Sequence, residues 1–307
     1  MDLPRKKWDL QSAETIYTPI TSLVLLLLLI ILSSLLSFAI ILGLSEIIGI
    51  DFSSIGEKLS QSNDLSLRNF TRLTILIQHL CLFVVPGLLF AIFLYRKASF
   101  AFLKLNRLPS LFNATLGSLL ILAAFPLAQL TYQINKSIPL PTWAQSMEED
   151  TSDLINNLLS VEAPYEFYFN LLVMALVPAF GEELIFRGII QQKLRKVMSN
   201  PINSILLTAF LFSAFHMQFE GFLPRFLLGA LLGFLFYWTQ NLWVPILTHF
   251  VYNGSQIFAH RLYEAEVSTL DLDNMGEISW GISLVSLVLV LILSYFIVNF
   301  NKNQLKY

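Results

Sequence analysis

Three apolar stretches of the chain are each interrupted by polar residues whose types suit the activation of a water molecule. These residues are Glu182, Glu183, Arg187, His216, His249 and Asn253. A carboxylate beside imidazoles can take a proton from water, either directly or through a bound metal. A charged side chain at membrane depth costs at least about 2.5 kcal/mol. The six residues therefore indicate a functional site rather than chance.

The first stretch contains two adjacent carboxylates with different expected roles. Glu183 and Arg187 are four residues apart, so they share one helix face and can form an ion pair. We predict that Arg187→Ala damages folding as well as activity, because it leaves Glu183 charged and unpaired. Glu182 is rotated by about 100° from Glu183 and has no partner on its own helix.

Two further stretches offer partners for Glu182. His216 ends one of them, and His249 and Asn253 are one helical turn apart in the other. Counted from the nearest basic loops at ~1.5 Å per residue, Glu182, His216 and His249 lie roughly 10–20 Å deep. We therefore expect one shared cavity in the half of the membrane next to those loops.

Other residues receive simpler interpretations. His79 lies beside Gln78 in another apolar stretch, and we interpret it as a core or cavity histidine because no companion motif accompanies it. Phe212 is interpreted as packing that shapes the pocket. Gly229 and Gly233 form a GxxxG spacing, which predicts a close contact between two helices.

The elements that must position these groups are apolar segments long enough to cross a bilayer, which requires roughly 20 residues. The sequence predicts an all-α, polytopic transmembrane helix bundle of about eight spans. The predicted spans are Ile20–Leu44, Leu73–Tyr95, Leu111–Thr131, Phe167–Gln191, Ile202–Phe219, Phe222–Trp238, Trp243–Phe258 and Ile278–Phe300.

Charged loops predict the orientation of this bundle, because cytoplasmic loops are enriched in Lys and Arg. With eight spans, every basic cluster falls on one side and both termini are cytoplasmic. The basic residues are Arg5, Lys6, Lys7, Arg96, Lys97, Lys104, Arg107, Lys193, Arg195, Lys196, Lys302 and Lys306. The opposite side carries acidic loops with Glu148, Glu149, Asp150, Asp153, Glu264, Glu266, Asp271 and Asp273.

Composition narrows the class of protein. Of the 307 residues, 55% are hydrophobic and 13% charged, about half the charged fraction of a soluble domain. The net charge of -2 argues against a nucleic-acid partner. The single cysteine, Cys81, can form neither an internal disulfide nor a thiolate cluster. We expect a multi-pass protein of the lipid bilayer, in a bacterial inner (cytoplasmic) membrane.

Three regions are predicted. Residues 1–166 hold about three spans and an outer loop with room for a short surface helix. Residues 167–258 hold about four spans and the six polar residues. Residues 259–307 hold an outer loop and the last span.

The order of the polar residues resembles a known family. Glu182-Glu183-x-x-x-Arg187, then Phe212-x-x-x-His216, then His249-x-x-x-Asn253 are similar to the three motifs of the CPBP intramembrane proteases. That family is also called the CAAX-protease or Abi family, and it includes the Rce1-type prenyl-protein endopeptidases. Each motif alone is a weak signal, but all three in order on separate helices are a strong one. The resemblance covers about residues 167–258.

The resemblance implies a role for each residue. Glu182 would activate water, His216 would position or polarise it, and Glu183 with Arg187 would hold the helix in place. His249 and Asn253 would stabilise the oxyanion. Glu182, His216 and His249 would also suit a zinc ion with an open position, although the HExxH motif of soluble zinc proteases is missing. Zinc-assisted and metal-free mechanisms both stay open.

Three functions fit these observations. The first is an endopeptidase that cuts a membrane-associated or lipidated protein or peptide. The second is a non-catalytic bacteriocin-immunity or scaffold protein that binds a peptide partner. The third, a proton-coupled transporter, is weaker because the sequence shows no inverted repeat.

Overall fold

The computed structural model describes residues 17–51, 64–268 and 278–302. Its elements are helical throughout these ranges. Arg5, Lys6, Lys7, Asp271, Asp273 and Lys306, which the orientation argument used, lie outside the described residues.

The described chain forms the following α-helices in order: α1 Pro19–Ile48, α2 Leu65–His79, α3 Val85–Tyr95, α4 Ser99–Phe102, α5 Leu111–Ala123, α6 Phe125–Lys136, α7 Thr142–Leu159, α8 Pro164–Asn170, α9 Val177–Ile185, α10 Gln192–Val197, α11 Pro201–Phe215, α12 Phe222–Thr239, α13 Trp243–Glu264 and α14 Trp280–Phe300. Three π-helical segments, Leu80–Val84, Leu171–Leu176 and Phe186–Gln191, join α2 to α3, α8 to α9 and α9 to α10.

Six helical stretches of the described residues are long and apolar enough to cross a membrane. They are Pro19–Ile48, Leu65–Phe102, Leu111–Lys136, Pro164–Val197, Phe222–Thr239 and Trp280–Phe300. The all-α, polytopic bundle is therefore confirmed, whereas eight spans and cytoplasmic termini stay predictions. The predicted spans Ile202–Phe219 and Trp243–Phe258 are not among the six. The first corresponds to α11, which has only 15 residues, and the second to α13, which is longer but less apolar.

The predicted span Ile202–Phe219 was too long. The helix ends at Phe215, with His216 as its C-cap, and Met217 then adopts a left-handed φ of 53°. This turn sends the chain back as α12. The fifth predicted span is therefore a helix that stops at His216, one of the predicted site residues.

Burial separates central helices from lipid-facing ones. Within the most apolar 18 residues of Pro164–Val197, 61% are buried, compared with 22% in Pro19–Ile48 and in Trp280–Phe300. The outer faces of α1 and α14 present aliphatic side chains such as Leu32 and Leu284, both more than half exposed. The segment with both predicted carboxylates is therefore at the centre of the bundle.

The glycine pair of α12 forms the predicted close helix contact. A Cβ on Gly229 would lie 3.1 Å from Phe212 Cδ1, and one on Gly233 would lie 2.9 Å from Ile205 Cγ2. The backbone carbonyl groups of both glycines also accept hydrogen bonds. Arg187 donates to the Gly229 carbonyl at 2.7 Å, and Gln191 donates to the Gly233 carbonyl at 3.0 Å. The pair thus joins α11, α12 and the segment after α9.

Gly233→Val is expected to destabilise the protein by roughly 1–3 kcal/mol, since overpacking a close contact forces neighbours apart. The melting temperature in mild detergent measures the effect. Gly43→Val is the matched control, because a Cβ there meets nothing within 4 Å. Equal melting temperatures for the two variants would contradict the assigned contact.

Candidate active site

The first motif forms a buried ion pair. Arg187 Nη1 lies 2.6 Å from Glu183 Oε1, and both side chains are completely buried. Arg187 is also held by the Gly229 carbonyl and lies over the Phe212 ring, with 4.7 Å from Cζ to the ring centroid. The i,i+4 spacing predicted this pair, and the structure adds its two further contacts on α11 and α12.

Glu183 also holds a histidine from another helix. His249 Nδ1 lies 2.9 Å from Glu183 Oε1. Since a carboxylate oxygen can only accept, Nδ1 is the donor, and when the ring is neutral Nε2 carries the lone pair. Glu183 therefore fixes both Arg187 and the orientation of the His249 ring.

Glu182 has imidazoles on both sides. Its Oε2 lies 3.9 Å from His249 Nε2, and its Oε1 lies 3.8 Å from His79 Nε2. Both gaps exceed a direct hydrogen bond and suit a bridging water. The Glu182 side chain is 6% exposed and has no ion pair with Arg187 of the kind that Glu183 makes. Glu182 is therefore the carboxylate that faces the open space of the site.

His216 lines the same cavity as Glu182 and His249. Its Nδ1 lies 2.8 Å from the Phe212 carbonyl, which can only accept, so Nε2 of the neutral ring is again the acceptor. The Phe212 ring is 5.0 Å from the His216 ring and 5.9 Å from the His249 ring, centroid to centroid. Phe212 thus packs between the second and third motifs, which is the packing role expected for it.

Asn253 also lines the cavity, one turn along α13 from His249. Its Nδ2 is 3.4 Å from the Met174 carbonyl, in the π-helical segment that precedes α9. This long contact is weak, so the amide remains a donor available to a ligand. The structure therefore brings all three motifs to one cavity.

His79 is the site residue that the sequence interpretation missed. It ends α2, lines the cavity, and its Nδ1 lies 3.1 Å from the Ile75 carbonyl. That contact leaves Nε2 towards Glu182, as in the His249 ring. The signal was available, because an ionisable residue inside an apolar span indicates a functional site by default. Without a companion motif, the spacing could not assign it.

Local backbone geometry explains how His79 reaches Glu182. The π-helical segment Leu80–Val84 follows His79 directly and packs on α9. A Cβ at Gly181 would lie 2.8 Å from Phe83 Cβ and 3.1 Å from Val84 Cγ2, so glycine is needed for this approach. Further π-helical segments lie on both sides of α9. Such segments are rare and occur frequently at functional sites.

The cavity has a volume of about 1130 Å³. Ligand pockets for small molecules are usually about 300–1000 Å³, so this one has room for several residues of a peptide. Its inner wall includes Glu182, His216 and His249. Its outer wall includes residues of α7, the helix between the third and fourth predicted spans, which agrees with the short surface helix expected there.

The cavity extends beyond the three residues that the depth count located. That count placed Glu182, His216 and His249 in the half of the bundle beside the basic loops, which stays a prediction, whereas the lining extends to α7 at the opposite end. The count measured depth along single helices. It could not include the wall that α7 adds, nor the end of α11 at Phe215.

The residues predicted to hold zinc are Glu182, His216 and His249. Among residues 17–51, 64–268 and 278–302, no group of three or more His, Cys, Asp or Glu is arranged so that it could hold a metal ion. Glu182, His216 and His249 have suitable donor atoms but do not form such a group, and zinc at this site stays a prediction.

The fold and the site define a polytopic helical membrane protein with a carboxylate and imidazoles that line one cavity. Comparison with known proteins agrees with this class. Residues 164–255 match the family model described as Type II CAAX prenyl endopeptidase Rce1-like. The resemblance read from the three motifs is thereby confirmed for this segment, which contains all six predicted site residues. His79 lies outside it.

A curated relative provides a second comparison. The chain is similar to the "Uncharacterized protein YpbD" of Bacillus subtilis (strain 168), with 28% identity over 97 residues. The match covers 30% of this chain and 46% of the relative, so the chain spans about half the length of the relative that it matches. No solved structure matches the chain.

Proposed function

We propose that the protein is an intramembrane endopeptidase that hydrolyses a peptide bond of a membrane-associated protein or peptide. The observation that supports this most directly is the Glu182 carboxylate, which faces a large cavity between two imidazoles inside a Rce1-like segment. An unpaired carboxylate in this setting is costly to bury, and catalysis gives a reason for keeping it.

In the proposed reaction, Glu182 takes a proton from a water molecule, and the oxygen of that water attacks the carbonyl carbon of the substrate. The Asn253 amide donates a hydrogen bond to the developing oxyanion. The C–N bond then breaks, and the proton held by Glu182 passes to the leaving nitrogen. The products are one carboxyl and one amino terminus, so atoms and charges balance.

The histidines position the water and the carboxylate. Each Nδ1 is fixed by its own acceptor, so each neutral ring presents Nε2 as an acceptor. The rings of His79 and His249 can hold water next to each Glu182 oxygen, and His216 adds an acceptor on the same cavity wall. Glu183 and Arg187 act through His249 and the helix, so they are positioning residues.

The test compares cells that produce the wild-type protein with cells that produce equal amounts of Glu182→Gln. New amino termini in the membrane fraction are labelled and identified by mass spectrometry. We expect a set of termini that is present with the wild type and missing with the variant. Glu46→Gln is the control, because Glu46 is an exposed carboxylate on α1, remote from the cavity. Identical termini in all samples would contradict proteolysis and favour the peptide-binding alternative.

His79→Leu is expected to lower kcat by about 10-fold or more with little change in KM, since a positioned acid–base group contributes roughly 10²–10⁴-fold. The assay uses a substrate identified by the terminus comparison. Gln78→Leu is the matched control, because Gln78 is next to His79 in the chain but does not line the cavity. His79→Gln, which can still contact Glu182, should recover part of the activity. Unchanged kcat for His79→Leu would remove His79 from the mechanism.

Removal of metal ions is expected to leave the activity intact, because every step of the proposed reaction is carried by side chains of the chain itself. The purified protein is dialysed against a strong chelator, and its metal content is measured beside its activity. A zinc-assisted mechanism would replace this one if the chelator abolished activity and added zinc restored it. In that case zinc should not restore the activity of His216→Ala or His249→Ala.

A further inference from the structure

We infer that the cavity opens to the non-cytoplasmic face of the membrane, so that the substrate is a peptide segment presented on that face. The choice of substrate rests on the proposed function, but the orientation of the cavity does not. It follows from where charge lies at the two ends of the bundle and from which end supplies the cavity mouth.

One end of the bundle is formed by three connections, one of which is hydrogen-bonded to the other two. Leu242 N donates to the Lys104 carbonyl at 3.1 Å, and the Asn241 side chain donates to the Arg107 carbonyl at 3.0 Å. Gln192 Nε2 donates to the Phe102 carbonyl at 3.0 Å. The segments 96–110, 192–200 and 239–243 therefore lie together at this end.

This end is uniformly basic. Segments 96–110 and 192–200 contain seven Lys or Arg and not one Asp or Glu: Arg96, Lys97, Lys104, Arg107, Lys193, Arg195 and Lys196. Lys and Arg in short loops determine which side of a membrane protein stays in the cytoplasm. The charge distribution therefore assigns the basic end to the cytoplasmic face.

The opposite end is formed around α7. Glu148 on α7 accepts hydrogen bonds from the backbone N–H groups of Phe219 and Glu220, after α11. Asn135 at the end of α6 joins the same turn through the Phe219 carbonyl. Arg72 of α2 donates to the Leu158 carbonyl at 2.7 Å. Four parts of the chain are thus joined at this end, which also carries Glu149, Asp150 and Asp153.

The cavity mouth belongs to the end formed around α7. The lining residues that are exposed lie on the end of α6, the following segment or α7: Lys136, Ile138, Pro139, Gln145, Glu149, Ser152 and Asn156. Among the described residues, segments 96–110, 192–200 and 239–243 contribute no residue to the lining. The mouth and the basic end are therefore on opposite sides of the bundle.

This geometry restricts the substrate class. A peptide tail anchored at the cytoplasmic face would meet the basic loops, which give no access to Glu182. A translocated segment, an outer loop of a membrane protein or a lipid-anchored peptide on the outer face would meet the mouth beside α7. We assign the substrate to this second group.

The test measures the accessibility of single cysteines in otherwise intact protein. Cys81, a buried free cysteine, is first replaced by alanine. Ser152→Cys, at the cavity mouth, is then compared with the matched Ser199→Cys at the basic end; both serines are exposed. Intact cells are treated with a membrane-impermeant maleimide. We expect Ser152→Cys to react, and Ser199→Cys to react only after lysis.

The reverse pattern, or equal reaction at both positions before lysis, would overturn the inferred orientation. If Ser152→Cys fails to fold, Ser146→Cys, another exposed serine on α7, replaces it. Labelling requires no activity, so its result stands even if the protein cuts nothing. As a separate measurement, a bulky maleimide on Ser152→Cys should lower the wild-type-specific cleavage. Full cleavage after complete labelling would contradict substrate entry beside α7.

Discussion

Glu182→Gln is expected to lose nearly all turnover, by roughly 10²–10⁴-fold, while the protein keeps its fold. The amide has the shape of the carboxylate but cannot take a proton from water. The imidazole nitrogens of His79 and His249 lie 3.8 and 3.9 Å from the Glu182 oxygens, too far for direct hydrogen bonds. Removing its charge should therefore cost little stability.

The neighbouring carboxylate gives a matched comparison. Glu183→Gln changes the same functional group one residue away, but it breaks contacts of 2.6 Å to Arg187 and 2.9 Å to His249. We expect this variant to melt at a lower temperature than the wild type, whereas Glu182→Gln should not. Turnover and melting temperature are measured for both. Equal stability loss in the two variants, or retained turnover in Glu182→Gln, would contradict the division of roles.

Arg187→Ala is expected to destabilise the protein by about 3–5 kcal/mol, which is the usual cost of leaving one partner of a buried ion pair alone. The variant removes the bonds to Glu183 and to the Gly229 carbonyl, together with the contact to the Phe212 ring. Thermal unfolding in mild detergent and the yield of folded protein measure this loss.

A second substitution tests the physical reason. Glu183→Gln added to Arg187→Ala removes the uncompensated charge, so the double variant should be more stable than Arg187→Ala alone. Arg187→Lys should be intermediate, since an ammonium group cannot reproduce the planar fork of guanidinium donors. Wild-type stability of Arg187→Ala would show that the pair does not hold the site together.

Which features could be read from the sequence depends on their range along the chain. The Glu183–Arg187 pair, the common pocket of His249 and Asn253, and the contact made by Gly229 follow from helical periodicity within one or two turns. The membrane class follows from composition and the length of apolar segments. Each of these needs only the geometry of a single helix, which neighbouring residues determine.

The tertiary structure alone decided which distant groups meet. His79 is about one hundred residues from Glu182, and no periodicity connects them; their approach depends on Gly181 admitting the π-helical segment after α2. The wall made by α7 and the end of the bundle at which the cavity opens are equally remote from any local pattern. Periodicity determines which side chains share a face of one helix, whereas packing between helices determines which faces enclose the same cavity.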